Sequence, residues 1–340
     1  MPAEGEMRHL LFRLICGVAL CGALVAQSSK GSEELVVYAY DSFVADWGPG
    51  PELARRFERL TGCRVRLVSC GDAGQVLSRA ILERGKPVAD VLVGIDNNLV
   101  ARARREGILE PYKPAGADAI VPAELRLADD WLLTPYDWGY FAIIHDAKSG
   151  VRAPRSLEDL ASPEFAKKLV MMDPRTSTPG AGFLAWTIAV YGDRYLDYWK
   201  RLRPNILTLA PGWDAGYALF TAGEAPLVIS YTTSPAYHLE TEKTDRYRAL
   251  IFPEGHVAQI EGVGIAKGSR HRDLARRFVD FMLTEEAQSI LPLTQWMYPV
   301  NRAVPMPDSY RAAPRAGKSL TLDAERAQAA VDAVIDLLAR

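Results

Sequence analysis

The feature that most constrains this chain is an alternation of short apolar runs with helical patterns, broken once and then resumed. Leu35 to Tyr38 reads as a strand, Pro51 to Leu60 as an amphipathic helix closed by Gly62, Val65 to Val68 as a strand, Gly74 to Glu83 as a helix and Val91 to Val93 as a strand. Strand–helix–strand–helix–strand implies a parallel sheet covered by helices, because parallel neighbours need a crossover rather than a tight turn. A second α/β set follows in Leu169 to Met172, Gly180 to Tyr191, Tyr195 to Leu202, Asp214 to Thr221 and Leu227 to Ser230. It lies between two extended runs, Tyr140 to Ile144 and Val263 to Ala266. The chain is therefore expected to leave one lobe (35–139 and 262–340), build a second (140–261) and return. Two extended crossings make a hinge, and open α/β sheets place ligands beyond the carboxyl ends of their strands, here in a cleft between lobes.

The N-terminus reads as an export signal. Arg8 and Arg13 precede an apolar run from Leu14 to Ala26, and Ala26-Gln27-Ser28 offers small residues for cleavage, so residues 1–28 are expected to be a signal peptide. The run is shorter than the ~20 apolar residues of a membrane span. Cys21 is an alternative lipid-anchor position, although Leu20 is larger than the residue expected before a lipidated cysteine. Of the four cysteines, Cys63 and Cys70 remain in the exported part. The stretch between them reads as a strand, whose seven steps span ~23 Å, and a disulfide needs Cα atoms within ~7 Å; two free thiols are expected. The five histidines are scattered and no cluster has zinc spacing, so no metal site is expected. Residues 1–28 carry two acids and two bases, leaving the net charge at −2, which argues against nucleic acid as a partner. The chain is read as a monomer.

Aromatic and acidic residues gather where strands are expected to end: Tyr38 to Phe43, Gly212-Trp213-Asp214, Tyr231-Thr232-Thr233-Ser234 and Gln295 to Tyr298. Ring faces beside carboxylates suit an organic cation, since a ring attracts a cation by about 0.5–2 kcal/mol according to its desolvation. Taken singly, each ring is also well explained as a core aromatic. Asp173 to Gly180 follows a strand and opens a helix, where Ser177 and Thr178 either cap the helix or, with free N–H groups, hold an anion such as phosphate. Asp72-Ala73-Gly74 carries the same two readings.

Tyr38 to Gly50, Gly94 to Asn98, Tyr136 to Phe141, Asp173 to Gly180, Ser230 to His238 and Trp296 to Pro299 together resemble the thiamine-binding periplasmic proteins of ABC importers, over nearly the whole chain from Leu35. The resemblance implies the two-lobed type II periplasmic-binding fold, a periplasmic location, a permease partner in the inner membrane and a cargo of thiamine or its mono- and diphosphate, with no cofactor. It implies ligand contacts at Asp72, Ala73, Ser177, Thr178, Trp213 and Tyr231, Thr232, Thr233 and Ser234, with Tyr40, Tyr237 and Trp296 lining the cleft. Ala73 departs from the glycine of better-known members; a backbone contact would survive that change. Three alternatives stay open. A thiaminase-I-like enzyme on this fold would use Cys70 as nucleophile, although no histidine is near it in sequence. A ferric-binding protein would want adjacent Tyr phenolates, but Tyr231 is followed by Thr232. A polyamine or phosphonate binder is the third.

Overall fold

The computed structural model describes residues 33–321 and 323–339; the signal peptide and Cys21 fall outside them. Strand β1 (Glu34–Ala39) pairs in parallel with β2 (Arg64–Ser69) and β3 (Val91–Asp96), joined by helices α1 (Pro49–Thr61) and α2 (Ala73–Leu82). Helix α1 ends where Gly62 takes φ 74°, a left-handed cap that a Cβ would disfavour. Buried Leu35, Val37, Leu53, Phe57, Val76, Leu77 and Val91 form the first core with Phe278 and Phe281.

Two long strands carry the chain between halves. β4 spans Thr134–Asp146; its first part pairs antiparallel with the later strand β9 (His256–Ala266), and its second part, Phe141 to His145, pairs with a strand of the second half. Between them lie β5 (Leu169–Met172), α3 (Thr178–Tyr191), α4 (Tyr195–Leu202), β6 (Ile206–Ala210), α5 (Trp213–Thr221), β7 (Leu227–Tyr231), α6 (Ser234–Thr241) and β8 (Tyr247–Leu250). The strand order is β2-β1-β3-β9-β4-β7-β5-β6, so the crossing strands are the central pair. The register shifts on either side of Gly262 in β9, where a Cβ would meet Leu127, Leu133 and the Ile95 carbonyl. This bulge turns the strand from one half toward the other.

The extended runs were expected from Tyr140 and Val263, and each proves longer: Thr134 to Gly139 and His256 to Gly262 belong to the strands, although Pro135, Asp137, Gly139, Glu261 and Gly262 interrupt the apolar pattern. The lobe assignment of the last segment needs correction. Helix α7 (Arg272–Met282) packs into the first core, but α8 (Ala324–Ala339) packs Ala327, Ala330, Val331 and Val334 into the second. The chain crosses a third time, guided by Ser319–Leu320 pairing with the start of β9. The reason lies in α3, where Phe183, Leu184, Ala185, Trp186 and Ile188 are all buried; a helix apolar on every side must be covered on every side.

Gly94 ties the fold to the cleft. It has φ 94°, and a Cβ there would stand 2.3 Å from the Tyr40 ring. Gly94→Ala should lose about 2–4 kcal/mol in urea unfolding, combining left-handed strain with overpacking.

Candidate functional site

The loops after β1, β2, β5, β6 and β7 converge on a cavity of about 750 Å³, within the range of small-molecule sites. Tyr40, Asp72, Thr178, Trp213, Tyr231, Ser234, Tyr237 and Trp296 all line it, so eight of the residues singled out in the sequence are brought together. Each sits just beyond a strand or at the start of a helix because the strand end is where a side chain can leave the sheet without a neighbour above it.

Asp72 is the N-cap of α2: its Oδ1 accepts from Ala73 N–H at 2.7 Å, while its own N–H donates to Gln75 Oε1 at 2.8 Å. Capping uses Oδ1, and Oδ2 is buried without a hydrogen-bond partner among the described residues. Burial raises the Asp72 carboxyl above the usual range, against the pull of Ala73 N–H, the Ser177 hydroxyl and Trp213 N–H nearby. Those last two belong to the other half, so Asp72 sits where the halves meet; a Cβ on Gly212 would lie 3.4 Å from its Oδ2. Ala73 is buried beneath it and offers no side chain to the cavity.

Trp213 opens α5. Its ring stacks on Tyr217 with centroids 4.8 Å apart, and Nε1–H donates to Ser230 Oγ at 2.8 Å. One face is held by the protein and the ring remains half-buried along the cavity wall. Tyr231 stacks on Phe141 and donates to Gln259 Oε1; Ser234 Oγ lies 2.8 Å from Ser230 Oγ. Tyr237 meets Trp296 edge to face at 5.3 Å. Thr178 Oγ1 and Ser177 Oγ are buried without partners, and neither caps α3. Ser177 faces a small cavity behind the cleft with Asn98 and Arg102.

Thr232 and Thr233 do not line the cleft. β-strand alternation aims Tyr231 at the cavity and Thr232 at the opposite face, into a groove with Trp138, Tyr140 and Tyr298. Thr233 is fully buried with Oγ1 4.0 Å from Met297 Sδ.

Glu242, Gln259 and Glu261 line the cavity without having been singled out from the sequence, whereas Asp214 and Gln295 belong to the aromatic segments that were. The charged lining is Asp72, Asp214, Glu242 and Glu261, and among the described residues no Lys, Arg or His joins it. Asp214 is pushed up to about 6, first by enclosure and then by Asp72 and Asp41. Glu261 Oε2 accepts from Tyr40 Oη at 2.9 Å, Tyr136 Oη at 3.1 Å and Gln295 Nε2 at 3.2 Å, and Oε1 accepts from Gln259 Nε2 at 2.8 Å. Behind it lies Asp137, its cross-strand partner, and Asp96 faces it from β3. Alternation along β9, with Gln259 and Glu261 on one face and Ile260 on the other, was the available signal; without the register nothing marks these two as floor residues.

Cys63 and Cys70 are free thiols. Cys70 is absent from the cavity lining, is raised by burial, and has only the Val68 carbonyl and Arg79 as hydrogen-bond partners among the described residues. A thiol held in its protonated form is a poor nucleophile.

Two α/β halves joined through a central antiparallel pair, with the ligand space beyond the strand ends of both, define a two-lobed type II solute-binding protein. The family model for bacterial extracellular solute-binding proteins matches residues 86–328. A thiamine-binding periplasmic protein of Brucella abortus is 41% identical over 299 residues, 88% of this chain and 89% of the relative. That of Escherichia coli is 40% identical over 269 residues, 78% of this chain and 80% of its own. A solved periplasmic thiamin binding protein superposes with a TM-score of 0.82 at 37% identity, covering 93% of this chain and 98% of that one. The chain belongs to the bacterial extracellular solute-binding proteins, and its role is capture of a small molecule for an ABC transporter, without catalysis.

The buried acids give a pH dependence. Burial pushes Asp96 up to about 7 and raises Asp137 and Glu261. Folded values above the unfolded ones mean the native state binds more protons, so stability is full at low pH and falls as pH rises through the folded values. Thermal unfolding of the unliganded protein from about pH 5 to about pH 8 should show a falling melting temperature, flattened by Asp137→Asn.

Proposed function

We propose that this protein captures thiamine in the periplasm and delivers it to an inner-membrane permease, acting as a monomer. The observation that carries the reading is the cavity's charge: every charged residue lining it is acidic, and the rest of the wall is aromatic, hydroxylic, amide or aliphatic. Thiamine has a permanent thiazolium charge and a flat aminopyrimidine, which suit Trp213, Tyr231 and Trp296 as stacking faces and Asp72, Asp214 and Glu261 as counter-charges. The named relatives bind the same compound.

The phosphorylated forms would place their anion at the N-terminus of α3, where Thr178 and Ser177 have unengaged hydroxyls. Arg102 and Arg175 line the small cavity that Ser177 and Thr178 share, Arg175 being tied to Asp173. Thiamine itself is the better match for the cleft proper, whose charged lining is acidic.

Calorimetry with thiamine, its diphosphate, spermidine and Fe(III) tests the assignment; tighter binding of spermidine than of thiamine would refute it. Trp213→Ala should weaken thiamine about 30-fold, on the order of 2 kcal/mol of lost stacking, and Trp213→Phe less. Because Trp213 also packs on Tyr217 and bonds Ser230, the Ala variant should melt somewhat lower too. Replacing Ser177 and Thr178 together by Ala should weaken the diphosphate more than thiamine; equal losses would remove the anion from this helix end.

A further inference from the structure

The floor of the cleft contains an unbalanced charge. Asp137 and Glu261 stand directly opposite each other on β4 and β9, so their side chains share one face of the sheet. Both are buried, at 0% and 4% exposure. Their hydrogen bonding is unequal. Glu261 receives donors from Tyr40, Tyr136, Gln295 and Gln259, the surroundings of an ionised carboxylate. Asp137 receives none on either oxygen. A buried carboxylate with no donor beside another carboxylate does not stay ionised, so the pair holds one proton, carried by Asp137.

Among the described residues nothing else nearby supplies positive charge. The groups facing the pair are Tyr40 from the loop after β1, Asp72 from the loop after β2, Asp96 from β3, Tyr136 from β4 itself and Tyr231 from β7. All are acids or phenols. Burial, ahead of the charge of Glu261, holds the Asp137 carboxyl well above its usual range. Glu261 lines the cavity while Asp137 lies one side chain behind it, and Tyr40 bridges cavity and carboxylate.

We propose that an organic cation bound in this cleft replaces the proton of the Asp137–Glu261 pair as its counter-charge, so that ligand capture releases a proton to solvent and strengthens as pH rises. This rests on the reading of the cargo as thiamine. The step is a protonic exchange: the cation enters, the Asp137 O–H breaks, the electron pair stays on the carboxylate and water or buffer takes the proton. The cation acts most strongly on charges in the low-dielectric floor, where solvent screening is weakest. Asp96 is the neighbour of Glu261 on β3 and, like Asp137, stays outside the cavity lining.

Calorimetric titration with thiamine in two buffers of different ionisation enthalpy, phosphate and Tris, at one near-neutral pH reads the released protons directly. The expected result is release approaching one proton per thiamine, with Kd falling up to about tenfold per pH unit on the acidic side of the transition. Asp137→Asn, whose side chain does not reach the cavity, should still bind thiamine but release much less. The uncharged thiazole alcohol 5-(2-hydroxyethyl)-4-methylthiazole should release none. Asp214 has lost its proton above about 6 and contributes only at lower pH. Thiamine binding with heats independent of buffer, or undiminished release in a folded Asp137→Asn, overturns this inference and leaves the cargo assignment standing. Absence of thiamine binding by the wild-type protein overturns both. The wild-type comparison does not depend on the variant folding.

Discussion

The antiparallel pairing of β4 with β9 is the constraint on which the rest of the structure depends. Each strand pairs with one half near one end and the other half near the other, so the same backbone hydrogen bonds that close the sheet also set the position of the halves. The cleft lies over this pair, and its floor is the row of side chains that the pair presents on one face. Gly262 is where the two functions of β9 separate: a Cβ there would collide with Leu133 and Leu127, and its absence lets the register shift. A strand with fixed register cannot move its inward residues to the other face without slipping by one, which would expose the core. The acids of the floor are therefore held in place by the hydrophobic pattern on either side of them.

That arrangement explains an apparent conflict between stability and function. Burying Asp96, Asp137 and Glu261 near one another is unfavourable, and no salt bridge relieves it in the described residues. The molecule contains many other ion pairs, such as Arg246 with Asp146 at 2.7 Å, so basic residues are not scarce; they are kept out of the cleft. A cleft lined with acids alone is a poor structural device and a good cation receptor, since its strain is relieved by the ligand rather than by the chain. Aromatic rings add a face that water cannot match. The same preference disfavours free anions.

Much of this was legible from the residues. The strand–helix alternation located β1 to β3, β5, β7 and the helices between them to within a few residues, because their apolar periodicity is local. The crossing strands were seen only in part: Tyr136, Asp137 and Gly139 in β4 do not look like strand residues until their partners are known. The C-terminal helix went to the wrong half for a related cause, since its small apolar face states that it must be covered and not by what. Of the expected contacts, Tyr40, Asp72, Trp213 and Tyr231 line the cavity, whereas Thr232 and Thr233 turn away, the first by the strand alternation that aims Tyr231 inward.

The sequence by itself determined the fold class and the aromatic character of the cleft, because each is written in patterns a few residues long or in a set of segments resembling a known family. Only the tertiary structure decided which carboxylates share the floor. Asp96, Asp137 and Glu261 are separated by as much as 165 residues in the chain. They meet because β3, β9 and β4 are neighbours in that order, and the pleat then turns Asp137 and Glu261 to one face. Charge in a low-dielectric interior acts over distances that sequence separation does not measure.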